Sequence, residues 1–122
     1  MRDEFERLRD ILEAIDGIQR YAARGREVFE SDELIQSWMV HHLQIIGEAA
    51  RSVSERVRSL APHIPWSRIV GMRHVLVHGY FGVDLEAVWD AVVQDVPVLR
   101  SAVEELLAQC QSRANDPGDA AR

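Results

Sequence analysis

Residues 31–60 read SDELIQSWMVHHLQIIGEAARSVSERVRSL, and the placing of their apolar positions decides the fold class. Ile35, Trp38, Met39, His42, Ile46, Ala49, Ala50, Val53, Val57 and Leu60 recur at steps of three and four, which keeps them on one side of an α-helix. Ser31, Asp32 and Glu33 supply an N-cap and first-turn acids that suit the positive end of a helix dipole. The spacing predicts one helix of about 30 residues, ended by Pro62 and Pro65.

The same period extends outward on both sides. Phe5, Leu8, Ile11, Leu12, Ile15, Ile18 and Ala22 predict a first helix over about residues 3 to 24, broken at Arg24-Gly25-Arg26. Pro65 suits the first turn of a third helix, from Trp66 to about His78, because proline lacks the N–H that such a turn leaves unpaired. Gly79 and Gly82 bracket a turn, and Asp84 caps a fourth helix that buries Leu85, Val88, Trp89, Val92, Val96, Leu99, Val103 and Leu106. Pro97 lies inside that run and predicts a kink or a break into two helices near Asp95. Nothing alternates with period two, so the expectation is all-α: an up-and-down antiparallel bundle of four to five helices. One domain over residues 1–110 and a disordered tail over 111–122 complete the expected organisation.

At 122 residues and 47% hydrophobic content the chain can bury one core. No apolar run approaches the ~20 residues that cross a bilayer and no charged-then-apolar leader opens the chain, so a soluble cytoplasmic protein without membrane attachment is expected. Cys110 is the one cysteine, which excludes an internal disulfide and a thiolate zinc cluster. All 14 basic residues are arginine, and the formal net charge is −6, which argues against a broad nucleic-acid-coating surface. Residues 51–78 nevertheless carry five arginines (Arg51, Arg56, Arg58, Arg68, Arg73) against one acid, Glu55. This basic concentration suits a polyanion, or is a solvated helix face.

Chemistry concentrates in Gly71-Met72-Arg73-His74-Val75-Leu76-Val77-His78-Gly79-Tyr80-Phe81-Gly82. Arg73 offers a fork of donors to a phosphate, and His78 offers an imidazole able to move a proton near neutral pH. Five residues apart on a helix is about 140° of rotation, so the turn at Gly79 is needed to bring the two together. A capping or salt-bridge arrangement is the plainer reading of the same pair. His74 and His78, at i and i+4, have the spacing of two metal ligands, but no third ligand is evident and no metal or other cofactor is called for. His42 sits on the apolar stripe as a core or interface histidine, with His41 peripheral. Glu48 is placed to orient Arg73 or His78 by a charged hydrogen bond, although the packing of Gly47, Ala49 and Ala50 explains its neighbourhood as well. Trp38, Trp66 and Trp89 are read as core.

Arg73-x4-His78-x-Tyr80 resembles the Arg-x4–6-His signature of HEPN ribonucleases, in the form found in HepT toxins. Ile45-Ile46-Gly47-Glu48-Ala49-Ala50, Ile64-Pro65-Trp66, Tyr80-Phe81-Gly82-Val83-Asp84-Leu85 and Val88-Trp89 resemble the same family, over roughly residues 5 to 107. The resemblance implies a homodimeric endoribonuclease toxin that cuts RNA, tRNA among the candidates, without a metal. Arg73 would contact the scissile phosphate and His78 would be the general acid or base. It also implies a partner, a minimal nucleotidyltransferase antitoxin that in some members transfers AMP to the tyrosine matching Tyr80. His74 departs from the asparagine common after the arginine and is carried as a supporting residue with Glu48. Two other readings remain open on the residues alone: a noncatalytic module that binds a nucleotidyltransferase and its nucleotide, and a plain helical dimerisation protein.

Overall fold

The computed structural model describes residues 4–75 and 84–114. Among them the chain is all-helical, in the order α1 (Glu4–Ala22), α2 (Arg26–Ser31), α3 (Glu33–Arg51), α4 (Glu55–Arg58), α5 (Trp66–Val75), α6 (Leu85–Asp90), a π-helical turn (Ala91–Asp95) and α7 (Val96–Ala114). The all-α expectation is met.

Helix α3 is the member around which the others gather, with α1 and α5 packed along it and α2 and α6 touching it. Its inward positions Met39, Leu43, Ile46 and Ala50 have no exposed surface, and neither do Leu8, Ile11, Ile15 and Ile18 of α1. Val96, Val103 and Leu106 of α7 join them in one cluster. No polar or charged residue is buried among the described residues, so the core is held by apolar burial alone.

Close approach of α1 and α3 depends on a glycine. The Trp38 indole N–H donates to the Gly17 carbonyl at 2.8 Å. A Cβ placed on Gly17 would stand 2.8 Å from the His42 ring, below any ordinary contact. Ile45 and His42 share a surface cleft with Asp10, Glu13 and Ala14, so α3 runs antiparallel to α1. At the other side of α1, Arg100 of α7 reaches Asp16 at 2.7 Å and the Gln19 side-chain oxygen at 2.7 Å. The Asp16 carboxylate first, and Glu104 after it, hold the Arg100 pKa above the ordinary arginine value.

Several expectations are corrected. The expected single helix over residues 31–60 stops at Arg51 and restarts as α4. Ser54 turns its hydroxyl to accept from the Val57 N–H at 3.3 Å, which starts a new helix where the apolar period alone would continue the old one. Val53 and Val57 are buried on either side of the break, so the spacing hides it. Asp32, and not Ser31, caps α3, accepting from Leu34 N–H at 2.9 Å and Ile35 N–H at 3.3 Å. Ser31 instead closes α2, a helix the sequence reading missed, which Gly25 makes possible at φ 95° and which buried Phe29 anchors against Trp89.

Near Pro97 the break expected near Asp95 is found: α6 ends at Asp90, a π-helical turn covers Ala91–Asp95 and α7 starts at Val96. The Val96 N–H donates back to the Ala91 carbonyl, one residue beyond the α-helical partner, and the widened π turn absorbs the proline without ending the helical path. Trp38 was expected in the core and is 36% exposed, its indole spanning from α3 to the α1 backbone. Finally α7 continues through Ala114, so residues 111–114 belong to the helix and not to a tail. Residues 76–78 of the expected third helix, and 115–122 of the expected tail, lie outside the described residues.

Gly17→Ala should destabilise the fold by about 1 kcal/mol in denaturant unfolding, because the overpacking cost against His42 exceeds the ~1 kcal/mol that alanine gains in a helix. Adding His42→Ala should recover part of that loss; strict additivity of the two changes would show that the ring is not what alanine meets.

Candidate functional site

Helix α5 carries the start of the Arg-x4-His stretch. Pro65 precedes it and Trp66 locks its entry, with the indole N–H donating to the Ala61 carbonyl at 3.1 Å. Trp66, Ile69 and Met72 are buried, which seats α5 along α3. Arg73 and His74 fall in the last turn of α5. Their side chains, together with all of His78 and Tyr80, lie outside the described residues. Glu48 lies on α3, the helix packed against α5, and is exposed beside Arg51 at 3.6 Å.

The basic segment around this helix divides by role. Arg58 turns back and donates from Nη2 to the Ala50 carbonyl at 2.9 Å and to the Arg51 carbonyl at 3.5 Å, satisfying acceptors that the end of α3 leaves open. Its guanidinium lies 5.7 Å from the Trp66 ring centroid, and its Nε is buried without a hydrogen-bond partner. Arg58 is therefore a clasp between α3 and α5. Sequence reading missed that role; the signal available to it was an arginine a few residues past a helix end, facing carbonyls that need donors. Arg68 pairs with Asp95 at 3.0 Å across to the π turn, and Arg56 is exposed.

A cleft of about 110 Å³ opens beside α5, between it and α7, lined by Pro65, Ile69, Met72, Val98 and Leu99 with Arg68 and Asp95 at its mouth. Its lining is mostly apolar, with His63, Arg68, Gln94 and Asp95 as the polar members.

Of the other sequence candidates, His42 is half-buried. A carbonyl can only accept, so the 2.7 Å contact between His42 Nδ1 and the Trp38 carbonyl places the ring proton on Nδ1. The ring stacks on Trp38 with centroids 4.2 Å apart. His41 is exposed and edge-on to His42 at 5.5 Å. Trp66 is core as expected, and Trp89 is half-buried against Phe29. Among the described residues no group of three or more His, Cys, Asp or Glu could hold a metal ion, and no helix is long and apolar enough to cross a membrane.

The family model described as ribonuclease HepT-like matches residues 11–106, and the chain belongs to that family. It is 37% identical over 109 residues to a Thermococcus cleftensis protein named as a probable ribonuclease HepT, covering 86% of this chain and 96% of that one. Two Methanocaldococcus jannaschii proteins named as candidate RNases are similar to it as well. MJ1380 is 35% identical over 104 residues, 84% of this chain and 95% of that protein, and MJ1216 is 33% identical over 107 residues, 87% and 88% respectively. No solved structure matches the chain.

Replacing Arg58 with methionine keeps the stem over Trp66 but removes the donors to α3, and should cost about 1–3 kcal/mol of stability. Unfolding midpoints of Arg58→Met and Arg56→Met, compared side by side, check this: equal midpoints would mean that the clasp contributes nothing.

Proposed function

We propose that this protein is a metal-independent endoribonuclease toxin, with Arg73 and His78 as the groups that touch the scissile phosphodiester. The observation that carries the reading is membership of the ribonuclease HepT-like family over residues 11–106, a span that includes the whole Arg73-x4-His78-x-Tyr80 stretch. The names of relatives that align over most of their lengths support RNA as the substrate class.

In the proposed reaction the ribose 2′-hydroxyl attacks the adjacent phosphorus, its proton passing to a base, and the 5′-oxygen of the next nucleotide leaves with a proton from an acid. His78 takes one of those proton-transfer roles, for which an imidazole is suited near neutral pH. Arg73 bonds the nonbridging oxygens through its planar fork and stabilises the charge they gain as phosphorus becomes five-coordinate. His74 and Glu48 support the pair, Glu48 by orienting Arg73 or His78 from the neighbouring helix. The chain acts as a homodimer in the cytoplasm, with two Arg-x4-His stretches bordering a shared cleft. A minimal nucleotidyltransferase antitoxin neutralises it by transferring AMP to Tyr80, which would put a bulky anion two residues from His78.

Purified protein should cut cellular RNA, tRNA included, in the presence of EDTA. His78→Ala and Arg73→Ala should each lower the cleavage rate by about 100-fold or more while leaving helicity and thermal midpoint unchanged. A wild-type protein, shown by intact mass to be unmodified, that cuts none of these RNAs would overturn the reading and favour a noncatalytic module that binds a nucleotidyltransferase. Glu48→Ala, at an exposed site, should shift stability by less than about 0.5 kcal/mol yet lower cleavage, a split that a purely structural role would not produce.

A further inference from the structure

The cleft between α5 and α7 adjoins the stretch assigned to catalysis. Ile69 and Met72 form part of its wall, and Arg73 follows Met72 directly, one turn and roughly 6 Å along the same helix from Ile69. With Pro65 and Leu99 they make an apolar slot of about 110 Å³. An enclosed cavity of ~150 Å³ holds a whole benzene, so this open slot takes one planar ring with an edge left toward the mouth. Val98, on the rim, is an apolar side chain left 65% exposed. The polar members are not used up by the fold. Asp95 Oδ2 accepts from Arg68 Nη2 at 3.0 Å, while the other carboxylate oxygen makes no hydrogen bond among the described residues. Neither does the Gln94 side-chain amide, which is exposed.

We propose that this cleft is a base pocket, seating an unpaired RNA base next to the scissile phosphate and selecting bases that carry an exocyclic amino group. The ribonuclease reading supplies that phosphate, and the pocket rests on it for this neighbour alone. Single-stranded RNA is recognised by splaying a base out of the stack, packing its faces on side chains or a guanidinium plane, and bonding its edge. Each part has a group here. Ile69, Met72 and Leu99 offer the faces apolar contact, Arg68 holds a guanidinium at the mouth, and Asp95 and Gln94 meet the edge. A single sugar–phosphate unit bridges the interval between Arg73 and the slot. Selectivity follows from the carboxylate. Asp95 can only accept, so it favours the amino groups of adenine, cytosine and guanine. Uracil presents one N–H between two carbonyls, whose oxygens face the carboxylate with like partial charge. Pairing with Arg68 offsets the charge of Asp95, so the mouth does not repel the phosphates on either side.

Methyl NMR of the full chain, titrated with 2′-O-methyl tetranucleotides of A, C or U that lack the attacking hydroxyl, reads the pocket without cleavage. Signals of Ile69, Met72, Val98 and Leu99 should shift, with the A and C tetramers binding about 10-fold more tightly than U. Asp95→Asn, whose amide both donates and accepts, should admit U as well as A, and its exposed pairing with Arg68 leaves folding little changed. Val98→Trp, covering the slot from the rim, should weaken binding of the A tetramer by about 10-fold. Cuts mapped on a randomised RNA should be depleted of U at one position beside the broken bond, and Asp95→Asn should restore U there. Equal binding of U and A by the wild type, shifts confined to residues outside the cleft, or a preference unchanged in both variants would overturn the proposal. RNA cut with no base preference loses the pocket and keeps the catalytic reading. Cleft shifts with the stated preference in a protein that cuts no RNA keep the pocket and lose the catalytic reading.

Discussion

Burial of one face of α3 is the constraint on which the rest of the structure depends. Met39, Leu43 and Ile46 are wholly shielded from solvent, and they are shielded by two different helices, α1 on one flank and α5 on the other. Apolar contact is proportional to area and indifferent to direction, so it collapses the bundle without fixing how closely each helix sits. The close fit comes from shape. Gly17 removes a side chain where the His42 ring and the Trp38 indole need the space, and the indole N–H then finds the Gly17 carbonyl.

Polar groups in this protein act at the ends of helices and not in the core. Asp32, Ser54 and Asp84 each place a side-chain oxygen on a free N–H at a helix start, and Arg58 supplies donors to the carbonyls at the end of α3. Each of these groups settles a boundary. Arg58 in addition ties the end of α3 to Trp66 of α5.

Legibility in the sequence followed the physical reach of each signal. Period 3.6 is written locally, and it gave the helical class, the first helix, the Asp84 cap and the disturbance at Pro97. Breaks that leave the period intact were not legible: Val53 and Val57 keep the apolar register across the gap between α3 and α4, and only the Ser54 hydroxyl marks the restart. Trp38 read as core because it falls on the stripe, yet an indole has both an apolar body and a donor, and the donor carried it to the helix edge where Gly17 waits. For the candidate site, the residue types and spacing of Arg73, His74, His78 and Tyr80 were read directly, together with the family they resemble. Arg58 was counted with the basic residues that suit a polyanion, because its partners are carbonyls of another helix and no local pattern announces them.

The amino-acid sequence by itself determined an all-helical chain with one central amphipathic helix, an arginine and a histidine five residues apart, and membership of a ribonuclease family. Those properties depend on residues close in the chain or on their order. Tertiary structure decided that the central helix ends at Arg51, that Pro97 is met by a π turn and that Arg58 serves the fold. Each of these follows from which groups from distant parts of the chain compete for the same space or the same hydrogen bond, and that competition exists only once the helices are packed.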